Sequence, residues 1–443
     1  MEQQRKRIAL LHHTGCGNLG DDAIIDAVVA NIRERWENPQ ITVFSMNPED
    51  TTDRHDLPSL PIRRYTWSSR PKSATTGIDD PGAQKAGGWF ATTRNPLIRL
   101  PRALSRELTF LVDSYRMLRS FDLMIVSGGG QLTERGGPSS FPYALAVWSL
   151  LAKRAGVRFV FLNVGAGPLK HPLSKFFIVR ALYAADYVSF RDQQSQDLAT
   201  KIGFAGRGCV CPDNVYGYSF TLPNVASSDN SRPVVGLAPM PYPFSDHLKY
   251  PTNAEAIQQQ LIDKMADFSA SIVNQSYSVR LFGSDLKSDP AAIEELRNAL
   301  LNRHHIPTPA YMPVESVDEL LTAMSAMDFV VTCRFHGVVF AHLLNKPILA
   351  IAHHPKVTHL MNALGLSQYC FDMDTFDPAQ LAAAFKSLVR NSEEIKKNMA
   401  ASLADYRAKS KVQFDDLFPR ASGSREMSDA KSPEAVRSPM AYE

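Results

Sequence analysis

The sharpest chemical signal in this 443-residue chain is Val330-Val-Thr-Cys-Arg-Phe-His-Gly, where a fully apolar run delivers Arg334 and His336 at its end. Burying either side chain in a core is costly unless it is paired. The i, i+2 spacing turns both the same way if extended geometry persists that far. His336 can then give or take a proton near neutral pH while Arg334 holds an anion beside it. A hydrogen-bonded core histidine is the competing reading. Arg191 in Ser189-Phe-Arg-Asp-Gln suits a planar grip on carboxylate or phosphate, against a local ion pair with Asp192 or Asp197. Lys356, in Ile351-Ala-His-His-Pro-Lys, offers a point charge for phosphate near His353 and His354, or is a solvated loop residue.

Three glycine-rich turns could bring bare backbone to a ligand. Thr14-Gly-Cys-Gly-Asn-Leu-Gly-Asp-Asp opens a helix, so its N–H groups and the positive helix end suit a phosphate or carboxylate. Gly15, Gly17 and Gly20 also fit the dinucleotide spacing G-x-G-x-x-G, but Asp21 and Asp22 stand where they would repel a pyrophosphate. Those acids equally suit a capped first turn. Gly128, Gly129 and Gly130 follow a second apolar run and permit close approach of a ligand, or serve a tight crossover. The third turn, Asn163-Val-Gly-Ala-Gly-Pro, reads better as a plain strand-to-helix loop.

These motifs need strand ends and helix starts to hold them. Short β-branched runs alternate with helical periodicity, the pattern of parallel sheets covered by helices. Strands are expected at Arg7–Leu11, Ile41–Ser45, Leu123–Ser127, Phe159–Val164 and Tyr187–Phe190, then at Val234–Ala238, Ser278–Phe282, Phe329–Thr332 and Ile348–Ile351. Helices fall between them, among others at Ala23–Trp36, Ala144–Ala155 and Ala254–Val273. The fold class is therefore α/β, with two Rossmann-like doubly wound domains facing a central cleft. Residues 1–220 form the first, with a mobile insertion near 68–88; 221–233 is a turn-rich linker; 234–420 forms the second; 421–443 is a disordered tail.

Bulk composition excludes more than it asserts. A net charge of +3 gives no support to nucleic-acid binding, which needs a concentrated basic face. The initial apolar run, Ile8–Leu11, is too short for a signal peptide, and no segment reaches the roughly 18–20 apolar residues of a membrane span. Five scattered cysteines suit reduced thiols, and Cys209-Val-Cys211 lacks the spacing of a zinc site, so a cytoplasmic, metal-free protein is expected. Leu104, Leu108, Leu111, Tyr115 and Leu118 trace an apolar helical face flanked by Arg99, Arg102, Arg106, Arg116 and Arg119. Such a helix could touch a membrane peripherally, or pack on its own domain.

In order and spacing these motifs resemble the polysaccharide pyruvyltransferase family, from about Ile8 to Gly365 apart from Ser68–Gly88. A G-N-x-G-D-x-A-I start is present as Gly17, Asn18, Gly20, Asp21, Ala23 and Ile24. The glycine turn is Gly128–Gly130, S-x-R-D-x-x-S is Ser189, Arg191, Asp192 and Ser195, and R-x-H-x-x-x-x-A is Arg334, His336 and Ala341. Two positions depart from the family: Thr332 replaces a serine before the arginine, and Asn214 replaces proline after Asp213. The resemblance implies a GT-B-like enzyme that takes phosphoenolpyruvate as co-substrate and forms a pyruvate ketal on two hydroxyls of one sugar, in a glycan or lipid-linked precursor. It implies donor binding by Arg191, Arg334, Lys356, Asn18, Gly20 and Gly128–Gly130, with His336 as general acid, Asp21 as base, and no metal or cofactor. The alternatives are a nucleotide-sugar glycosyltransferase of similar shape and a non-catalytic relative that binds glycan.

Overall fold

The computed structural model describes residues 5–64, 96–134, 136–221, 232–242, 253–307 and 309–420. The expected insertion at 68–88, residues 222–231 of the expected linker and the tail from 421 lie outside the described residues.

The first sheet holds β1 (Arg7–Leu11), β2 (Gln40–Ser45), β3 (Ser59–Pro61), β4 (Leu123–Ser127), β5 (Arg158–Val164), β6 (Tyr187–Phe190) and β7 (Cys209–Val210). The second holds β8 (Val234–Ala238), β9 (Ser278–Leu281), β10 (Ala310–Tyr311), β11 (Phe329–Thr332), β12 (Ile348–Ala352) and β13 (Cys370–Asp372). Spatial order is β3-β2-β1-β4-β5-β6-β7 in the first and β10-β9-β8-β11-β12-β13 in the second, and the pairings are parallel. Both are doubly wound, as expected. Strands such as β4 and β8 are buried at every residue because helices cover both faces, which is why they read as unbroken apolar runs.

The connecting helices of the first sheet are α1 (Leu19–Arg35), α2 (Pro48–His55), α3 (Pro96–Leu118), α4 (Phe141–Ala155), α5 (Pro172–Ala184) and α6 (Gln193–Lys201). Those of the second are α7 (Ala254–Val273), α8 (Asp289–His304), α9 (Val317–Ser325), α10 (Phe335–Leu343), α11 (Pro355–Ala363), α12 (Pro378–Arg390) and α13 (Ser392–Leu417). Helix α1 begins four residues before the expected Ala23, because the Asn18 side chain accepts from the Gly20 N–H and caps it at once. Helix α3 forms, and its buried stripe overlaps the expected face at Leu118 and, half-buried, at Leu111 and Tyr115. Ser114 and Leu118 are buried and Phe110 packs edge-on to Trp148, while Leu108 points outward.

The first sheet has two cores. One lies under α3, α4 and α5; the other lies under α1 and the end of α13. Helix α13 starts against the second domain through Ile395 and Met399 and finishes in the first through Phe414 and Leu417. The segment expected to complete the second domain thus also completes the first. Where it arrives, Gln413 exchanges hydrogen bonds of 2.8 Å with Asn163 and donates to Ser189 Oγ at 2.9 Å, all three residues being buried. The Asn163 side chain also donates to Asn214 Oδ1 at 2.7 Å.

Gln413→Leu would keep most of the volume and strand the polar groups of Asn163 and Ser189. A loss of about 2–3 kcal/mol is expected, in the range for buried groups left unpaired, and is read as a shift of the urea midpoint. An unchanged midpoint would mean that this network does not hold the helix.

Candidate active site

In each sheet two adjacent strands send their chains off in opposite directions: β1 and β4 in the first, β8 and β11 in the second. The crevice beyond such strand ends is where open α/β sheets bind ligands. The motifs singled out in the sequence sit there. His12 and His13 follow β1, Gly128–Gln131 follow β4, and Arg334 and His336 follow β11.

The two domains meet through the loop before α1. Leu19 N–H donates to the Ser284 carbonyl at 2.9 Å, Leu286 N–H donates to the Gly17 carbonyl at 2.8 Å, and Asn18 pairs with Asp285 in an antiparallel bridge. His336, at the positive end of α10, rests on Gly20, where an added Cβ would collide with its imidazole. Gly20 is therefore required by contact across the domain boundary. Gly129, at φ +67°, brings its backbone beside His12 and His13, and Gly128 makes room for Asn214. A side chain at Gly130 would meet only open space, so nothing in the packing demands glycine there.

His13 Nε2 lies 3.3 Å from Asp21 Oδ2, and the His12 ring stacks on His13 at 4.6 Å. Beyond them Arg191 sits 3.6 Å from Asp213 and 3.2 Å from Asp192, against Gly165, with its guanidinium 4.3 Å from the Phe335 ring centre. Lys356 Nζ lies 5.7 Å from the same ring centre. The cations gathered beside His336 are thus Arg191 and Lys356. Arg334, expected to join them, pairs instead with buried Asp289 and donates to Ser288 Oγ at 2.6 Å, with Asp285 at 3.6 Å. It ties the interdomain loop to α8.

Among the described residues, several buried polar atoms without a hydrogen-bond partner lie in the same crevice: both ring nitrogens of His12, Nε2 of His336, Ser127 Oγ and the Gln131 amide. Such atoms are costly in a core and mark a site that a ligand completes. His342, nearby in sequence, is the contrast. Its ring bonds to Tyr216, the Met399 carbonyl and Ser402, a satisfied core histidine.

Burial pushes His336 down to about 4, countered in part by the charges of Asp213 and Asp21. Burial also holds His12 well below the usual histidine range, helped by His13. For Asp21 burial alone would raise the carboxyl, but His13, then His12 and His336, outweigh it and keep the group far below the ordinary carboxylate range. The crevice therefore combines a neutral buried imidazole, a firmly ionised carboxylate and two cations. Asp22, one residue along α1 and so turned about 100° from Asp21, lines a separate cavity of about 720 Å³ whose acids Asp26, Asp50, Asp53, Asp285 and Glu315 outnumber its cations Arg54 and His55. That acidic lining would repel an anion. Sequence reading named Asp213 without giving it a role and missed His12 and His13; the His-His pair closing a buried strand, as Arg-x-His does at β11, was the available signal.

The sequence profile described as polysaccharide pyruvyl transferase matches residues 18–355. No curated protein matches the chain in sequence. Among solved structures, a UDP-N-acetylglucosamine 2-epimerase aligns with TM-score 0.56 at 13% identity, covering 97% of this chain and 100% of that one. The UDP-GlcNAc 2-epimerase from Neisseria meningitidis bound to UDP-GlcNAc gives 0.54 at 11%, covering 93% and 99%. Spinosyn rhamnosyltransferase SpnG complexed with thymidine diphosphate gives 0.51 at 11%, covering 93% and 99%. At such identities the likeness establishes the GT-B-like fold alone.

The histidines set an acid limit on stability. Folded His336, His342, His353 and His354, all lowered to about 4 chiefly by burial, stay neutral where an unfolded chain takes up protons near 6.5. Stability should therefore fall as pH drops from 6.5 to 4. His55 acts oppositely. Burial would lower it, but Asp22 and Asp26 raise it to about 9, so its contribution is complete below 6.5 and is lost as pH rises through 9. The urea midpoint should peak near neutrality, with a shallower acid limb in His336→Gln. A midpoint level from 6.5 to 4.5 would contradict this.

Proposed function

The chain belongs to the polysaccharide pyruvyl transferase family, and on that premise we propose that it moves pyruvate from phosphoenolpyruvate onto two hydroxyls of one sugar in a glycan. The product would be a cyclic ketal. The observation that supports this reading is His336, buried with Nε2 unpartnered, within the fields of the Asp21 and Asp213 carboxylates and of Arg191 and Lys356. A small, highly anionic donor with one carbon to be protonated suits that set.

The donor's carboxylate and phosphate lie against Arg191 and Lys356, at the positive end of α10. Its negative charge raises the proton affinity of His336, which is neutral in the empty site near pH 7. The imidazolium then protonates the methylene carbon, leaving C2 electron-poor. One sugar hydroxyl adds to C2 as its proton passes to Asp21, directly or through His13. The C2–O bond to phosphate breaks, and the second hydroxyl closes the ring, its proton leaving with the phosphate. Asp21 then returns its proton to His336 through solvent, so that of the two hydroxyl protons one replaces the proton spent on the new methyl group and the other leaves on the phosphate. Asn18 and Gly20 hold the loop and seat His336, and Arg334 serves the donor indirectly by fixing the loop at Asp285 and Asp289.

A nucleotide-sugar reading draws on the fold shared with two solved enzymes that carry UDP-GlcNAc and thymidine diphosphate. The side chains around His336 favour the smaller donor.

With phosphoenolpyruvate and a sugar panel, His336→Asn should lower kcat by about 10²–10⁴, the usual worth of a general acid, with the fold intact. Arg191→Ala should chiefly raise the donor KM. Full activity of the His336 variant would end the assignment.

Calorimetry tests the donor without any acceptor. Phosphoenolpyruvate binding near pH 7 should take up protons, seen as heats that vary with buffer ionisation enthalpy, and His336→Asn should abolish most of that uptake. Binding of a nucleotide sugar in place of phosphoenolpyruvate would move the assignment to the glycosyltransferase.

A further inference from the structure

Helices α3, α4 and α5 lie side by side on one face of the first sheet, and their outward surfaces carry large apolar side chains. Phe176 is 57% exposed and Leu108 53%, with Val112, Leu150 and Leu173 also projecting. They form one surface. Phe176 touches Phe177, Phe177 meets Tyr143 edge-on at 5.8 Å, and the Tyr143 hydroxyl donates to Glu107, next to Leu108, at 3.2 Å. No helix among the described residues is long and apolar enough to cross a membrane, so these side chains have no place inside a span.

The charge of this surface is as uneven as its polarity. From residue 135 to Ala185 the sequence carries seven Lys or Arg and no Asp or Glu against a whole-chain net charge of +3, although Arg158 turns away from this face to the Leu417 carbonyl. The rest of the chain is therefore net negative. Lys175 and Arg180 flank Phe176 on α5, with Lys170 just before the helix; on α3 Arg106 stands beside Leu108, and Arg116 lies 3.6 Å from Asp113. The N-termini of α4 and α5 point to the same sheet edge as the crevice, which places Leu173 and Phe176 at the end nearest it.

We infer that this face docks on a membrane surface rich in anionic phospholipid, with Leu173 and Phe176 entering the headgroup region and the cations engaging lipid phosphates. Cations alone would suit any polyanion. The protruding aromatic and aliphatic side chains favour a bilayer, because insertion removes them from water and a hydrated polyanion cannot do so. Docking would leave the crevice open close to the lipid surface, where a glycan on a lipid carrier would be presented. The surface itself stands apart from the proposed chemistry.

The test is co-sedimentation of the full chain with vesicles of phosphatidylcholine, with and without phosphatidylglycerol. Binding should require phosphatidylglycerol and weaken with salt. Lys175→Ala with Arg180→Ala should lower the partition about 25-fold, at about fivefold per cation. Phe176→Ser should lower it about tenfold or more. Each variant should keep its urea midpoint and its activity on a soluble acceptor, since neither site touches the crevice. Absence of binding to phosphatidylglycerol vesicles would overturn the inference. So would vesicle binding indifferent to Phe176→Ser, or equal binding to a soluble polyanion with the same indifference, since either would mark a general polyanion site. Loss of transfer with vesicle binding retained would count against the chemistry and leave the docking surface standing.

Discussion

The placement of one imidazole governs much of this molecule. His336 belongs to the second domain yet lies on the backbone of Gly20 in the first, with no room for even a methyl group between them. A titratable ring in that position must stay neutral when empty and must find a partner when a ligand arrives. The capped turn at Asn18, the bridge to Asp285 and the arginine on Asp289 all fix the geometry of that contact. The site is therefore less a pocket in one domain than a property of how two domains touch.

Electrostatics make the arrangement asymmetric. The carboxylate of Asp21 is held ionised chiefly by its contact with His13, while His336 is kept neutral by burial despite two carboxylates nearby. Pairs of groups pushed to opposite protonation states are how one crevice can both give and accept protons at a single pH. Arg191, already engaged with Asp192 and Asp213, can trade a protein carboxylate for a ligand's without ever lying unpaired.

Much of the architecture was legible in the sequence because parallel strands buried on both faces leave an unmistakable trace. The runs at Leu123–Ser127 and Val234–Ala238 have no polar interruption to blur their ends, and their limits were read correctly. Amphipathic helices were harder. In α3 the leucine spacing marked Leu118 but also Leu108, which is exposed, and packing against Trp148 brings Phe110 and Ser114 inward. For the site, local motifs located Gly20, Asp21, Arg191 and His336 because each stands at the end of an obvious strand or the start of a helix. The contact of Gly20 with His336 depends on how two domains meet, and no local pattern encodes that. Arg334 shows the same limit, since Asp289 lies 45 residues away in the chain.

Helix α13 has one further implication. A continuous rod whose early turns sit in one lobe and whose last turns sit in the other acts as a strut. Two lobes joined only by a loop could swivel freely. With the strut seated at both ends, and with Leu19, Ala23 and Ile24 of α1 sharing one core with the second lobe, the register between the lobes is held at places remote from the loop on which His336 rests.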